Sequence, residues 1–531
     1  MTGSMAIINL GDSMFGKDKN KKTGSNNFTE ESSKPKKTRE LGKSIEDNID
    51  LFKNIFSEDE TLIVRHFQNK FLKAAKCCII YFEGMVNQDI LNENIIQPVL
   101  NSNLSQDISN SNLLEELQYK VLVTSYVSFN KDIDKIVDAV ISGDTVFFLD
   151  GYEGALILRA RGWEKRAITE PESERVVRGP REGFTESILT NLALIRRRIK
   201  TPEFKTKFKQ IGERTRTRVC LCYINDIVSK NILCELEKRL DEINIDAVLD
   251  SGYIQELIRD APFSPFETVG YSERPDIIAG NLLEGRIAIV VDGSPTVLTV
   301  PFIIAESAQS NEDYYNNYIL ASFNRIIRTT AMVSAVSIPA VYLAVVTYHQ
   351  EMLPTPVLLS LSASRQGVPF PTWLSFFIMF LVFDILREAG ARMPLAVGQA
   401  INIVGALVLG QAAVEAKLVS APVVVVTALS GILTLMNTRM LTSIIFVRFF
   451  LLLAASLLGI YGFIFGFMIV VLHLMSIRSF GIPYMLSITT VKDHNGQDSW
   501  IRAPWWTMTL RPKIISARNM VRQTAAKNRR R

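Results

Sequence analysis

Apolar and polar positions divide the chain into two unlike halves. Up to about residue 320, short apolar runs alternate with charged stretches, the pattern of a water-exposed fold. From about Ile326 to Met475 the apolar runs lengthen to membrane-crossing size. In the first half, "CCIIYF" from Cys77 and "VCLCYI" from Val219 read as buried strands, and each is followed by an amphipathic stretch. After the second, Leu233, Leu236, Leu240 and Ile243 recur at helical spacing, which predicts a helix with one buried face. Ser229 stands where an N-cap belongs, and Asn87 occupies the equivalent place in the first copy.

These junctions are related. "YFEGMVNQDIL" from Tyr81 resembles "YINDIVSKNIL" from Tyr223, 142 positions on. "ISGDTVFFLDGYEGALIL" from Ile141 resembles "LEGRIAIVVDGSPTVLTV" from Leu283, with Gly143 and Gly285 again 142 apart. Asp150-Gly151 and Asp292-Gly293 each separate two apolar runs, a strong hairpin signal. Helices are predicted ahead of both hairpins, in "KDIDKIVDAVI" and "RPDIIAGNLL". A constant offset across separate motifs indicates duplication. The expected fold is an α/β cytoplasmic region built from two related subdomains, followed by an α-helical multi-span membrane domain. The expected boundaries are a polar tail over 1–60, subdomains over 61–161 and 217–320, and a charged connector over 162–216. A membrane domain follows over 321–487 and a basic tail over 488–531.

In the second half, 323–349, 394–416, 418–437 and 444–476 each supply about the 20 apolar residues a spanning helix needs. Pro339 is placed to kink the first of them. A fifth stretch, 371–389, carries Asp384, Arg387 and Glu388 and reads as a partial, re-entrant or further crossing helix. The basic end "RNMVRQTAAKNRRR" favours the side of the N-terminus, which four full spans satisfy. Polar groups at membrane depth are costly unless they face protein or water. Gln399, Asn402, Gln411, Glu415, Asp384 and Glu388 are therefore the pore or gating candidates, with static interhelical hydrogen bonding as the alternative. Gly398, Gly405 and Gly410 offer small surfaces for close helix approach, and Arg448 is expected to snorkel to the interface.

A net charge of +5 is too small to argue for nucleic acid, and no basic stripe with interleaved aromatics occurs. The polar N-terminus lacks the apolar core of a secretory signal. Cys77, Cys78, Cys220, Cys222 and Cys234 form no C-x-x-C pair, and the four histidines are scattered, so neither zinc nor disulfides are expected. No phosphate-binding loop or nucleophile elbow is present. No cofactor and no enzymatic activity are expected. The connector is dense in charge around Arg175, Arg178, Arg181 and Glu182, which suggests an inter-subunit salt-bridge network. Thr185 is a candidate cap for the helix that follows.

The connector also opens a wider resemblance. "RGWEKR", "VVRGPREGFTE", "ALIRRRIK", "LDSGYI", "PFSPFETV", "ERPD", "LLEGRIAIVVDGSP", "EDYY", "PTPVLLS", "GVPFP", "ILREAG", "VGQA" and "IVGALVLGQAAVEAKLVSAP" occur in that order. From about Cys77 to Ser487 the chain resembles the A subunits of GerA-type spore germinant receptors. "AESAQS" from Ala305 and "LMNTRMLTS" from Leu435 depart from that pattern. The resemblance implies a multi-pass subunit of the spore inner membrane, its N-terminal region cytoplasmic. It implies a transporter-like B subunit and a lipoprotein C subunit as partners, besides lipid and further A subunits. It also implies an oligomeric nutrient-gated ion channel. A secondary transporter or a static scaffold are the competing readings. The repeat lies outside the membrane half, which argues against the transporter.

Overall fold

A computed structural model of the chain describes residues 41–71, 76–102, 112–162, 174, 176–393, 408, 410–486, 498, 500–511 and 519–522. The duplication is visible strand for strand. The first lobe contains helix α1 (Ile45–Ile55), strands β1 (Leu62–Gln68), β2 (Lys76–Phe82) and β3 (Val127–Asn130), helix α2 (Ile133–Ile141), and strands β4 (Thr145–Leu149) and β5 (Ala155–Leu158). The second contains helix α3 (Ile188–Arg198), strands β6 (Phe204–Ile211) and β7 (Thr217–Ile224), helices α4 (Lys230–Asp241) and α5 (Ser251–Ile258), strand β8 (Gly270–Ser272), helix α6 (Pro275–Leu283), and strands β9 (Ile287–Val291) and β10 (Val297–Val300). Sheet orders are β1-β2-β4-β5-β3 and β6-β7-β9-β10-β8, and every adjacent pair is antiparallel. Strands β6, β9 and β10 and helix α6 each begin 142 positions after β1, β4, β5 and α2.

Strands β4 and β9 are buried at every residue because helices cover both sheet faces. On one face of the first sheet, α1 and α2 pack Phe52, Ile136 and Val140 against Cys78 and Ile80. The matching face of the second sheet takes α3 and α6, with Leu192, Ile195 and Ile278 against Cys220 and Val290. The opposite face of the second sheet carries α4 and α5, whose Leu236, Leu240 and Ile254 are buried.

Helix α1 lies in the stretch expected to be a polar tail, and α3 lies in the expected connector. Both are the first helix of a lobe. The same contacts fasten each one. Ser44 and Ser187 are the N-caps. The first helical N–H, of Ile45 or Ile188, donates to the hairpin carboxylate of Asp150 or Asp292 at 3.3 and 3.2 Å. Gly151 and Gly293 N–H donate to Lys43 and Glu186 carbonyls at 2.9 and 2.8 Å. The backbone of Thr185 pairs with the Asn191 amide instead of capping the helix, as Gly42 does with Asn48. The Asp-Gly hairpins are thus docking points for helices as well as turns.

The helical half comprises α7 (Tyr318–Tyr348), α8 (Thr355–Arg365), α9 (Thr372–Arg392), the short helix Gly410–Glu415, α10 (Ala421–Leu435) and α11 (Leu441–Ser476). Among the described residues, two stretches are long and apolar enough to cross a membrane, Tyr318–Tyr348 and Thr438–Ser476, and most of the expected span over 394–416 lies outside the described residues. The second, expected as one span over 444–476, is folded in two. Gly459 has φ 61° and ψ −137°, and at this apex Tyr348 OH donates to the Ser456 carbonyl at 2.6 Å. Each arm of about 18 residues measures roughly 27 Å, close to the thickness of a hydrocarbon core. Both feet of the hairpin stand on the second lobe. Ser443 Oγ donates to the Pro265 carbonyl at 2.7 Å, and His473 Nε2 lies 2.9 Å from Ser264 Oγ. Beyond the hairpin, Phe480, Ile482 and Leu486 enter the second lobe's core, so the bundle begins and ends on the lobe side.

Candidate functional site

Within the bundle, Asp384 of α9 ties two guanidinium groups. Arg448 Nη2 donates to its Oδ2 at 2.9 Å and Arg387 Nη1 to its Oδ1 at 3.0 Å. Arg448 is 0% exposed, with its guanidinium 3.9 Å from the centroid of Phe380. The expected snorkelling arginine is therefore turned inward, because Asp384 and two aromatic faces replace its water. Nearer the hairpin apex lies a cavity of about 760 Å³, reached by Gln350, Arg365, Thr372, Ser375 and Ser420. Thr372, Ser375 and Ser420 are buried.

The other bundle candidates divide. Gln411 Nε2 donates to Glu415 at 2.8 Å across one helical turn, and both are exposed. Glu388 is exposed and bonds Arg392. Neither pair joins Asp384. Gln399 and Asn402 lie outside the described residues.

The connector candidates are also separated. Arg175 lies outside the described residues. Arg178 and Arg181 are exposed. Glu182 accepts from Arg198 at 2.7 Å and from Arg197 at 3.5 Å within the chain.

The charges that organise the fold lie at two seams. Between the lobes, Arg196 donates to Asp59 at 2.7 Å, and Asp59 also accepts from Thr61 and Thr206 hydroxyls at 2.7 Å. Between the second lobe and the bundle, Arg274 and Asp276 pair at 2.8 Å with side chains 1% and 4% exposed. Tyr315 OH and Asn311 Nδ2 add donors to the same carboxylate. Burial alone would raise the Asp276 carboxyl, but the bonds from Arg274 and Tyr315 outweigh it and hold the group below its ordinary value. Glu174 of the connector accepts from Ser272 and from Arg439, which lies in the turn before α11. Asp313 binds Arg325 and Arg328 at the start of α7. The two departures from the family pattern, "AESAQS" and "LMNTRMLTS", both reach this second seam.

Sequence reading missed these pairs because their partners are remote along the chain. Arg439 and Glu174 are 265 positions apart, and Arg196 and Asp59 are 137. The usable signal was arginine in otherwise apolar context, as at Arg448 in "IIFVRFFLLL" and Arg196 in "LALIRRRI".

Two duplicated α/β lobes, the second of them joined through ion pairs to an apolar helical bundle, define a membrane-associated protein with a large polar half. The match to known families agrees. The family described as Bacillus/Clostridium GerA spore germination protein matches residues 50–514, and the chain belongs to that family. It is 41% identical over 443 residues to the uncharacterized membrane protein YfkQ of Bacillus subtilis, covering 83% of this chain and 86% of the relative. It is 39% identical over 485 residues to spore germination protein KA of Bacillus subtilis, covering 91% and 89%. The crystal structure of the N-terminal domain of the A subunit of the Bacillus megaterium spore germinant receptor GerK3 aligns at 34% identity and TM-score 0.41, covering 50% of this chain and 98% of that one.

Proposed function

We propose that the chain is the membrane subunit of a nutrient-responsive germinant receptor and assembles with further copies of itself into a gated ion channel of the spore inner membrane. A transporter-like B subunit and a lipoprotein C subunit complete the receptor, the lobes lie in the cytoplasm, and the role is signalling rather than catalysis. The observation that carries the channel reading is the cavity of about 760 Å³ in an otherwise apolar bundle. Asp384, paired with Arg448, lies further along α9, the helix that carries Thr372 and Ser375. Buried hydroxyls and a charge pair at membrane depth are costly unless they serve a water-filled path or a switch.

Closed-to-open conversion by a ligand needs about 5.5 kcal/mol of differential binding to move the population from 1:99 to 99:1. Copies in a ring can share that demand. The test is ion efflux from liposomes holding the purified chain with its B and C partners. Nutrient-dependent efflux is expected, altered in rate or selectivity by Asp384→Leu with Arg448→Met. Solute uptake without ion efflux would make the chain a transporter instead.

A further inference from the structure

We propose that the turn Ala261–Ser264 of the second lobe is a bilayer anchor, with Phe263 at its tip set among the headgroups and upper acyl chains of a phospholipid leaflet. Phe263 has a relative exposure of 102%, so its phenyl ring packs against almost nothing of its own chain. In water such a ring forgoes the gain that burial of apolar surface brings.

The turn is built to hold the ring out rigidly. Ser264 N–H donates to the Ala261 carbonyl at 3.1 Å, and Pro262 fixes φ at the second position of the turn. Arg259 donates to the Ser264 carbonyl at 2.6 Å and to that of Phe266 at 3.2 Å. Asp260 accepts from Arg239 and from the Phe480 N–H, each at 2.8 Å. A loop fastened on both sides of its tip cannot fold the ring back into the lobe.

The place of the tip selects lipid as its partner, and the proposal rests on the bundle crossing a bilayer. The residues just after Phe263 carry both feet of the hairpin, Ser264 meeting His473 and Pro265 meeting Ser443. Phe266 is buried in the core of the bundle. Each arm of α11 matches the thickness of a hydrocarbon core, so its feet mark the level where acyl chains give way to headgroups. The outer surface of the second arm is apolar and exposed at Ile469, Leu472 and Met475. Phe263 prolongs that lipid-facing surface onto the lobe. Arg478, exposed just past the same arm, brings the positive charge that an anionic headgroup pairs with. Its neighbours Ser479 and Phe480 bond Thr268 and Asp260 on the two sides of the turn.

The test is electron paramagnetic resonance of the full chain in liposomes of phosphatidylethanolamine and phosphatidylglycerol. A nitroxide is attached to Phe263→Cys in a Cys234→Ser background, where the four remaining native thiols are buried. A label on Ile469→Cys marks the bilayer, and one on Asp246→Cys, at an exposed carboxylate of the same lobe, marks water. The ratio of relaxation by oxygen to relaxation by a polar nickel chelate should be about five-fold higher at 263 than at 246, because apolar oxygen enters the bilayer and the chelate does not. The labelled and parent chains should melt alike in detergent, since the ring has no packing to lose. Chelate access at 263 equal to that at 246 overturns the proposal, as does protection of 263 from both reagents, the mark of a covering protein. In either case the label at 469 still reports lipid. Chelate access at 469 overturns the membrane reading of the bundle itself, and the anchor with it.

Discussion

Arg196 donates to Asp59 at 2.7 Å across the seam between the lobes, with both side chains sealed from solvent at 3% and 0% exposure. The guanidinium also lies 3.8 Å from the Phe82 ring centroid and 5.0 Å from that of Phe204, one aromatic from each lobe. Removing either partner leaves the other charge buried alone, which costs about 3–5 kcal/mol. Arg196→Ala or Asp59→Ala should therefore lower the thermal stability of the full chain severely, and Arg196→Met with Asp59→Leu should recover much of the loss. Calorimetric melting of the three variants checks this. A double variant as unstable as the sum of the singles would show that the ion pair is not the seam's main contact.

The paired hairpin carboxylates give a second expectation. Asp150 and Asp292 accept from the first N–H of α1 and α3, a group with no partner inside its own helix. Asp150→Ala and Asp292→Ala should each cost about 1 kcal/mol. They sit in different lobes, so their effects should add. Denaturant titration of both singles and the double tests this, and a strongly unequal pair would mean that the two lobes do not share this fastening.

The duplication was legible because it is written locally. Asp150-Gly151 and Asp292-Gly293 sit between apolar runs, and the offset of 142 holds over whole strands. What could not be read was contact between remote segments. Helix α1 looked like tail because its first N–H finds its partner 105 positions away. The folded-back α11 looked like one span because glycine is frequent in membrane helices, and a single Gly459 gives no periodic signal. Charge density in the connector pointed to Arg178 and Arg181, which are exposed, while Glu174 a few positions earlier makes the bond to the bundle. Density locates a polar surface, whereas burial depends on what folds against it.

Cysteine reactivity should follow burial. Burial pushes the thiols of Cys77 and Cys78 up to about 12 and that of Cys220 upward as well, whereas Cys234 is exposed. At pH 8 the native chain should take one maleimide, at Cys234, because the other four thiols are buried away from the reagent. In urea it should take five. Intact-mass spectrometry counts the adducts, and rapid native labelling at Cys77 or Cys78 would mean that the first sheet opens readily.

Asp276 sets an acid limit on the second seam. Its folded-state carboxyl titrates below the ordinary value of about 3.9. The stabilisation is therefore fully present above about pH 4 and lost as pH falls through the folded value. Asp276→Asn should melt lower at pH 7 and show a shallower loss of stability on acidification below pH 4. Melting curves between pH 7 and pH 2.5 measure both, and parallel curves for the two proteins would assign the acid sensitivity elsewhere.

Gly459 offers the most specific test of the bundle's topology. Its φ of 61° with ψ of −137° is a region that residues with a Cβ rarely enter. An added Cβ would also meet Tyr348 Cβ at 2.9 Å and His349 Nε2 at 3.1 Å. Strain of this kind costs about 1–3 kcal/mol, and it falls where the two arms of α11 turn back on each other. Gly459→Val should therefore destabilise the bundle by at least that amount, whereas Gly410→Ala, whose added Cβ meets only Val424 at 3.5 Å among the described residues, should be near neutral. The hairpin also fixes where its feet stand. With cysteines placed at Ser264 and His473 in a background lacking the native five, a short crosslinker should join the two in the intact chain. Efficient crosslinking in the parent and its loss in Gly459→Val would establish the turn at this glycine. Failure to crosslink in the parent would restore a single continuous span.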